Sequence, residues 1–500
     1  MHKLNDYRKK IDKIDNKIMK SLDERFFITK RIGILKKNLN IPTTDINREN
    51  EILDKSSSYE NGNSINKIYQ KILEESKNNQ SSYALVLEDG SYTYSDKIHN
   101  RFNNEFYQVI ETDDLLNVIK TTNIKNFNIS NPLKSQGFDI CQNITERAKA
   151  TNVINFIKEE NNELLGDNLD IDAFLNMINY YNIDFENKNV IVIGNGATSR
   201  TICYALKSFN IQSIVKLVRN KKDQNEILID EMPFNLSADI LIDTTSFDVY
   251  PNFENEPLFD INKILGLKVF ITVNYNPNRS IMYQQACKLG IKCYNGLMML
   301  IENARLSENI WQNKEYPISY SKIIMDELLH DLNIVLIGQS GAGKTTIGDT
   351  LSFVLNRTHL NSDNIINKKI TLTINNTTNN LKEFRFIEGN VIFNISHIKK
   401  AIISVGAGAI EDEQNINNLK RNGIIVFIQT PLDTLIERFN NGKLQRPLLK
   451  SIDDVKTLYQ KREQLYLNAA DIIINGNCDI MEIAEKIKEK VNEHINHKWL

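Results

Sequence analysis

The sequence predicts a multi-domain chain: an all-α module over 1–80, an α/β region over 81–329, and an α/β domain built on a parallel sheet over 330–500. Three observations predict it. Apolar residues recur every three to four positions through the first 80 residues, the period of amphipathic helices. The stretch NKNVIVIGNGATSR at 187–200 reads as a strand, a glycine turn and the start of a helix. NIVLIGQSGAGKTT at 333–346 repeats that order and adds a lysine and two threonines. A chain of 500 residues fills roughly three or four domains of ordinary size, each able to bury a core.

Charge excludes several classes. With 61 basic and 63 acidic residues no global field draws the chain to nucleic acid or to a membrane, so an anionic ligand has to be held locally. The five cysteines show neither metal spacing nor an even framework, as expected of reduced cytosolic thiols. No apolar run approaches the roughly 20 residues needed to cross a bilayer, and MHKLNDYRKK lacks a signal-peptide core, so a soluble, cytoplasmic protein is expected.

In the first module Leu4, Tyr7, Ile11, Ile14, Ile18, Leu22, Phe26 and Thr29 mark one helix from about 4 to 39, which Pro42 stops. A second helix carries Ile46, Ile52 and Leu53; a third carries Ile65, Ile68, Ile72 and Leu73 after a break at Asn61–Asn63. Three helices close a core poorly in so short a length, so self-association is expected. Arg25 lies beside the apolar stripe, where a cation is costly unless it meets an anion. Lys36 follows roughly 16 Å along the same helix and near the same face, whereas Arg8 lies roughly 25 Å back on another face, placed to serve a partner chain. Asp45, Arg48 and Glu49 share one helix face, as do Ser76 and Gln80. From the residues alone, charged side chains in this pattern are more often solvated helix faces than ligand contacts.

Taken together, Arg8, Arg25, Lys36, Asp45, Arg48, Glu49, Ser76 and Gln80 resemble the active-site set of the all-helical class of chorismate mutase. That resemblance implies an intertwined homodimer and rearrangement of chorismate to prephenate without a cofactor. By it, all eight residues contact the substrate. The arginines clamp two carboxylates, with Arg25, Lys36 and Gln80 as catalytic groups and the last two on the ether oxygen.

From Tyr83 the texture changes to short apolar runs between turns. The strand Val190–Ile193 feeds a dinucleotide fingerprint whose Gly194, Asn195, Gly196, Ala197, Thr198 and Ser199 are expected to cradle a pyrophosphate, with Ser199 where a third glycine is usual. The next strand, Ile214–Val218, ends in Arg219, Asn220, Lys221 and Lys222 where an NAD site carries an acid, so NADP is expected. The order of segments resembles shikimate dehydrogenase, with a substrate lobe at 81–180, a Rossmann lobe at 181–300 and closing helices at 301–329. The resemblance implies Lys134 and Asp170 as the catalytic pair. It implies Thr93, Ser95, Ser130, Asn155 and Tyr275 as substrate contacts, and Asn303 in the place of a customary glutamine. Without it, Lys134 and Asp170 read as surface residues.

In the last domain Gly338 to Thr345 fits G-x-x-x-x-G-K-[ST]. Gly338, Ser340, Gly341, Ala342, Gly343 and Thr346 are expected to turn N–H groups to phosphate, Lys344 to add charge, and Thr345 to offer its hydroxyl to Mg²⁺. Further clusters follow: Asn361-Ser362-Asp363, Phe384-Arg385 with Glu388, Gly406-Ala407-Gly408, RPLL at 446–449 and REQLYLNA at 462–469. Arginines for a small carboxylate and a carboxylate near the phosphate loop suit ATP-dependent phosphorylation of a small hydroxy acid. The set resembles shikimate kinase, which implies Asp363 on the substrate hydroxyl, Arg385 and Arg462 on its carboxylate, and Gly406 and Gly408 on its floor. It also implies Arg438 and Arg446 on the nucleotide, the latter as a mobile lid residue. Asn361 stands where an aspartate usually assists the metal, so a raised Mg²⁺ requirement is expected.

The expectation is a trifunctional enzyme of the shikimate pathway, using NADP(H) and Mg·ATP on small carboxylates and assembled as a homodimer. Two alternatives stay open: a helical module that only dimerises a bifunctional dehydrogenase and kinase, and a chain that senses nucleotides with idle sites.

Overall fold

The computed structural model describes residues 2–38, 45–78, 83–88, 93–102, 107–122, 124–373, 381–442 and 451–498. The chain divides into two compact units. One comprises Met1–Phe185, Asn195–Asn210 and Met299–Ser321; the other Glu186–Gly194, Ile211–Met298 and Lys322–Leu500.

The first unit opens with helices α1 (His2–Asn38), α2 (Ile46–Ser57) and α3 (Gly62–Asn78). Asp45 caps α2, its carboxylate accepting the N–H of Arg48 at 3.0 Å. The break expected at Asn61–Asn63 is shorter than that, because Gly62 already opens α3; a Cβ there would run into the carbonyl of Ser57, so only glycine closes the α2–α3 turn. On α1, Leu4, Tyr7, Ile11, Ile14 and Ile18 are all exposed, so the apolar row that the spacing marks out is not covered within the chain.

Strands β1 (Tyr83–Leu87), β2 (Tyr107–Glu111), β3 (Asn126–Ile129), β4 (Asn143–Ile144), β5 (Phe156–Glu160) and β6 (Glu163–Asp167) form a sheet in the order β2-β1-β3-β5-β6-β4. β1 runs parallel to β2 and β3, while β5 is antiparallel to β3 and β6. Ala84, Val86, Phe127, Ile129 and Ile154 carry its core. The helix Asp170–Tyr180 leaves the end of β6 and buries Ile171, Phe174 and Met177.

The second unit holds two all-parallel sheets, whose central strands read as near-continuous apolar runs because both faces are covered. β7 (Asn189–Ile193), β8 (Ser213–Val218), β9 (Glu226–Leu228), β10 (Ile240–Asp243), β11 (Val269–Thr272) and β12 (Lys292–Tyr294) order as β12-β11-β10-β7-β8-β9. The first strand in sequence lies inside the sheet, so the order reverses beside β7, the crevice where open α/β sheets take ligands. β13 (Asn333–Ile337), β14 (Thr358–Asn361), β15 (Ala401–Ser404), β16 (Gly423–Gln429) and β17 (Ile472–Asn475) order as β14-β15-β13-β16-β17. β13 is again interior, with β15 and β16 beside it in register at Val335. Among the described residues no helix is long and apolar enough to cross a membrane.

Candidate active sites

The phosphate loop is the most completely built site. Gly338, Gly341 and Gly343 take φ of +153°, +84° and +87°, values that side chains with a Cβ rarely adopt, and a Cβ on Gly338 would stand 2.8 Å from the carbonyl of Ile428. The helix Lys344–Leu355 starts at once, so its free N–H groups face the loop's concave side. Lys344 Nζ donates to the carbonyls of Gly338 (2.8 Å) and Gln339 (3.1 Å), and Arg438 to that of Gly341 (2.6 Å). Tyr466, buried and stacked on Phe427, donates to Gly338 O at 2.9 Å and approaches Ala407 O at 2.7 Å.

One cleft of about 700 Å³ joins this loop to the other expected residues. Ser340 to Thr346, Asp363, Arg385, Gly406, Gly408, Arg438 and Arg462 all line it. The two glycines leave room for the side chains that face them. A Cβ on Gly406 would lie 2.7 Å from Asp363 Oδ1, and one on Gly408 would collide with the guanidinium of Arg385. Each arginine has an acidic neighbour: Arg385 bonds Glu388, and Arg462 donates from Nε (2.8 Å) and Nη2 (2.6 Å) to Glu411 Oε1. Burial pushes the Glu388 carboxyl up, against the pull of Arg385. At Glu411 burial acts the same way, but Lys461 and Arg462 outweigh it and the carboxyl sits below its ordinary value. Arg446 lies outside the described residues.

For Mg²⁺ the chain offers few ligands. Among the described residues no group of three or more His, Cys, Asp or Glu could hold a metal. Asn361 Oδ1 accepts the N–H of Asn364 at 2.9 Å, so its amide nitrogen faces the site and donates to Thr345 Oγ1 at 3.0 Å and Ser404 Oγ at 3.1 Å. His359 in turn joins Ser404 Oγ (2.8 Å) to Asp349 (2.7 Å). A hydroxyl near Asp363 fits an ion that keeps waters and takes most of its oxygens from the nucleotide phosphates. Ser404, His359 and Glu411 were not singled out from sequence; their partners lie 10 to 51 residues away, beyond any local pattern.

In the first unit Lys134 Nζ lies 2.6 Å from Asp170 Oδ2, with the two side chains 12 and 13% exposed. Asn303, on the helix Leu297–Gln312, donates to the other oxygen of Asp170 at 2.9 Å. Asn155 is buried, and its Oδ1 accepts the N–H of Leu169 at 2.8 Å, which fixes the backbone just before Asp170. Thr93 Oγ1 donates to Ser95 Oγ at 2.9 Å, and Ser130, half-buried, follows the end of β3. Asn303 and Asn155 thus both bear on one lysine–carboxylate pair. Tyr275 belongs to the second unit, where it is half-buried.

The dinucleotide turn runs from β7 through Gly194, Asn195 and Gly196 into the helix Ala197–Ala205, which carries Thr198 and Ser199. Gly194 has φ +105°, and a Cβ on it would come within 2.9 Å of Thr244 Oγ1. Nothing lies within 4 Å of a Cβ on Gly196, and Ser199 is fully buried, so a small residue is needed at that third position. Arg219 and Asn220, directly after β8, are exposed.

Of the helical set, Arg25 and Ser76 meet although 51 residues apart: the guanidinium donates to Ser76 Oγ, and burial lowers the arginine's pKa. Glu49 is half-buried, while Arg8 is exposed and Arg48 turns outward to Glu51 at 2.6 Å. The side chain of Lys36 and all of Gln80 lie outside what is described.

Residues 340–492 match the model of the family Shikimate kinase, and residues 7–81 that of Chorismate mutase type II. A Shikimate dehydrogenase (NADP(+)) from Caldicellulosiruptor bescii is 26% identical over 265 residues, 48% of this chain and 91% of that protein. One from Clostridium botulinum is 27% identical over 246 residues, 45% of this chain and 95% of that protein. A solved chorismate mutase/shikimate 5-dehydrogenase fusion from Clostridium acetobutylicum is 25% identical, with TM-score 0.47, covering 50% of this chain and 97% of that one. The chain thus joins a segment that matches type II chorismate mutase, a middle region similar to NADP-dependent shikimate dehydrogenases, and a segment that matches shikimate kinase.

Proposed function

We propose that the chain catalyses three reactions on ring-shaped carboxylic acids: rearrangement of chorismate to prephenate, NADPH-dependent reduction of 3-dehydroshikimate to shikimate, and phosphorylation of shikimate by ATP. The observation that carries the reading is the single cleft joining the phosphate loop to Asp363, Arg385 and Arg462.

In the kinase Arg385 and Arg462 bind the substrate carboxylate, and Asp363 accepts the proton of the hydroxyl as its oxygen attacks the terminal phosphorus of ATP. Loop N–H groups and Lys344 hold the phosphates in line while ADP leaves. Thr345 would hold Mg²⁺, which supplies charge neutralisation on the phosphates. In the dehydrogenase NADPH, when bound, supplies hydride to the ketone. Lys134, oriented by Asp170 and Asn303, delivers the proton to the oxygen, and Thr93, Ser95 and Ser130 grip the carboxylate. In the mutase the arginines hold two carboxylates in the reactive conformer and Lys36 and Gln80 bind the ether oxygen, so no proton is transferred.

The exposed apolar row on α1 supports a homodimer through that helix, which would let Arg8 reach a second copy's site. It equally favours a second reading, in which the helical module assembles the chain and does no chemistry; prephenate formation lost in Arg25→Ala separates the two. Five reduced cysteines suit the cytoplasm.

Incubating the purified chain with 3-dehydroshikimate, NADPH and Mg·ATP should consume NADPH and release ADP together. NADPH loss without ADP, or neither, would overturn the reading.

A further inference from the structure

The second unit contains a buried exchange of charge between its two sheets that none of the three reactions uses. Arg279, just beyond β11 and 4% exposed, reaches into the base of the kinase sheet. Its guanidinium forks onto Asp471 at 2.7 and 2.9 Å, its Nε donates to Lys420 O at 2.8 Å, and its backbone N–H donates to Arg421 O at 3.0 Å. Arg421 answers from the kinase side. It is 2% exposed, donates to Asp248 Oδ1 at 2.8 Å and lies over the ring of Phe253 at 4.8 Å. Between the two arginines Asn278 N donates to Asn422 Oδ1 at 3.0 Å.

Both acids also serve the backbone of their own domain. Asp471 Oδ2 accepts the N–H of Ile425, tying the start of β17 to β16, and Asp248 accepts the N–H groups of Glu254 and Ile281. Neither pair can therefore part without stranding a buried charge and loosening a backbone segment. Breaking one partner of a buried pair is among the most destabilising changes a fold can suffer. Two domains held only by a linker bury no such charges against each other, because the cost of desolvation needs a permanent partner.

We propose that the segments Asp248–Glu254 and Asn278–Gln284 of the dinucleotide-binding lobe are the permanent seat of the kinase, so that NADP⁺ bound to that lobe stabilises the kinase fold. The inference rests on the NADP reading above. Its physical basis is linkage: a ligand that binds only the folded form lowers the unfolded fraction of everything that unfolds with it. At a hundred times its dissociation constant that factor is about a hundred. For a unit of this size it corresponds to a rise of roughly 5 °C in the midpoint of inactivation.

The test heats the full chain at graded temperatures with and without saturating NADP⁺, cools it, and assays shikimate-dependent ADP formation. NADP⁺ binding is measured separately by calorimetry. Kinase activity should survive to a higher temperature with NADP⁺. The protection should shrink in the double variant Arg279→Met/Asp471→Asn, which removes both charges and leaves neither stranded while the Arg421–Asp248 pair remains, and its NADP⁺ affinity should be unchanged. If NADP⁺ binds and the kinase midpoint does not move, the proposal fails. Equal protection in wild type and double variant also refutes it, since nucleotide would then act elsewhere, for instance in the kinase cleft. If the double variant does not fold, the wild-type shift alone decides, with Arg421→Met/Asp248→Asn as the uncoupled comparison. No NADP⁺ binding at all is the failure of the NADP reading instead, and calorimetry tells the two apart.

Discussion

Replacing Lys134 by alanine should remove most dehydrogenase turnover while leaving the fold and the cofactor site intact. The magnitude follows from what the side chain touches. Its Nζ has one described acidic partner, Asp170 Oδ2 at 2.6 Å, and the other oxygen of that carboxylate is held by Asn303 at 2.9 Å. Without the lysine the carboxylate keeps Asn303, and at 13% exposure it can take up water, so no charge is left stranded in a dry core. Stability should then fall by no more than about 1–2 kcal/mol. The chemistry loses its proton donor, a role worth a factor of roughly 10²–10⁴, or about 2.7–5.4 kcal/mol of barrier. Loss of NADPH absorbance with 3-dehydroshikimate gives the rate, and calorimetry gives NADPH affinity, which should stay within about twofold. A rate within about threefold of wild type would refute the role, and a matching loss of NADPH affinity would show a fold defect instead.

Arg25→Ala should lower prephenate formation at least about a hundredfold, because the guanidinium on Ser76 is a half-buried cation of the helical module; shikimate phosphorylation in the same preparation should be unchanged, and any parallel fall would count against it. Asn361→Asp should lower the Mg²⁺ concentration for half-maximal ADP formation several-fold, since it replaces an N–H donor on Thr345 Oγ1 by an acceptor; an unmoved metal titration would dismiss the competition. Asp243, buried at the end of β10, has its carboxyl pushed up to about 6 by that burial, against the pull of Thr245 on Oδ1. The folded form thus holds a proton that the unfolded chain releases near pH 4, so stability falls as pH rises from about 4 to 6 and is level above. Asp243→Asn keeps the acceptor and should stabilise the chain at pH 7 by a few kcal/mol at most, on the order of 3, with that slope abolished; a melting temperature at or below wild type would contradict it.

What could be read in advance was whatever one stretch of chain carries by itself. The phosphate loop and the dinucleotide turn declare themselves because strand, glycines and helix are adjacent in sequence, and the positive φ angles of Gly338 and Gly194 follow from that compression. Helices α1 to α3 show in apolar spacing alone. Pairings across the chain do not. Lys134 with Asp170 was expected through family likeness, yet Asn155 anchoring Leu169, the residue before that aspartate, was not, because nothing in a lone buried asparagine says what it will hold. Arg48 was grouped with the site, but on an exposed helix face Glu51 lies one turn away and takes it. Arg279 and Arg421 look in sequence like any solvated cation; only the packing of two sheets reveals where their charges go.

The hydroxyl of Tyr466 sits between the first carbonyl of the phosphate loop and that of Ala407, and its one proton serves one of them at a time. The phenol is buried with its ring stacked on Phe427, so both carbonyls rest against one firmly packed side chain. A displacement of either carbonyl therefore changes which of the two the proton serves, so the phosphate loop and the glycine segment share one hydrogen-bond donor.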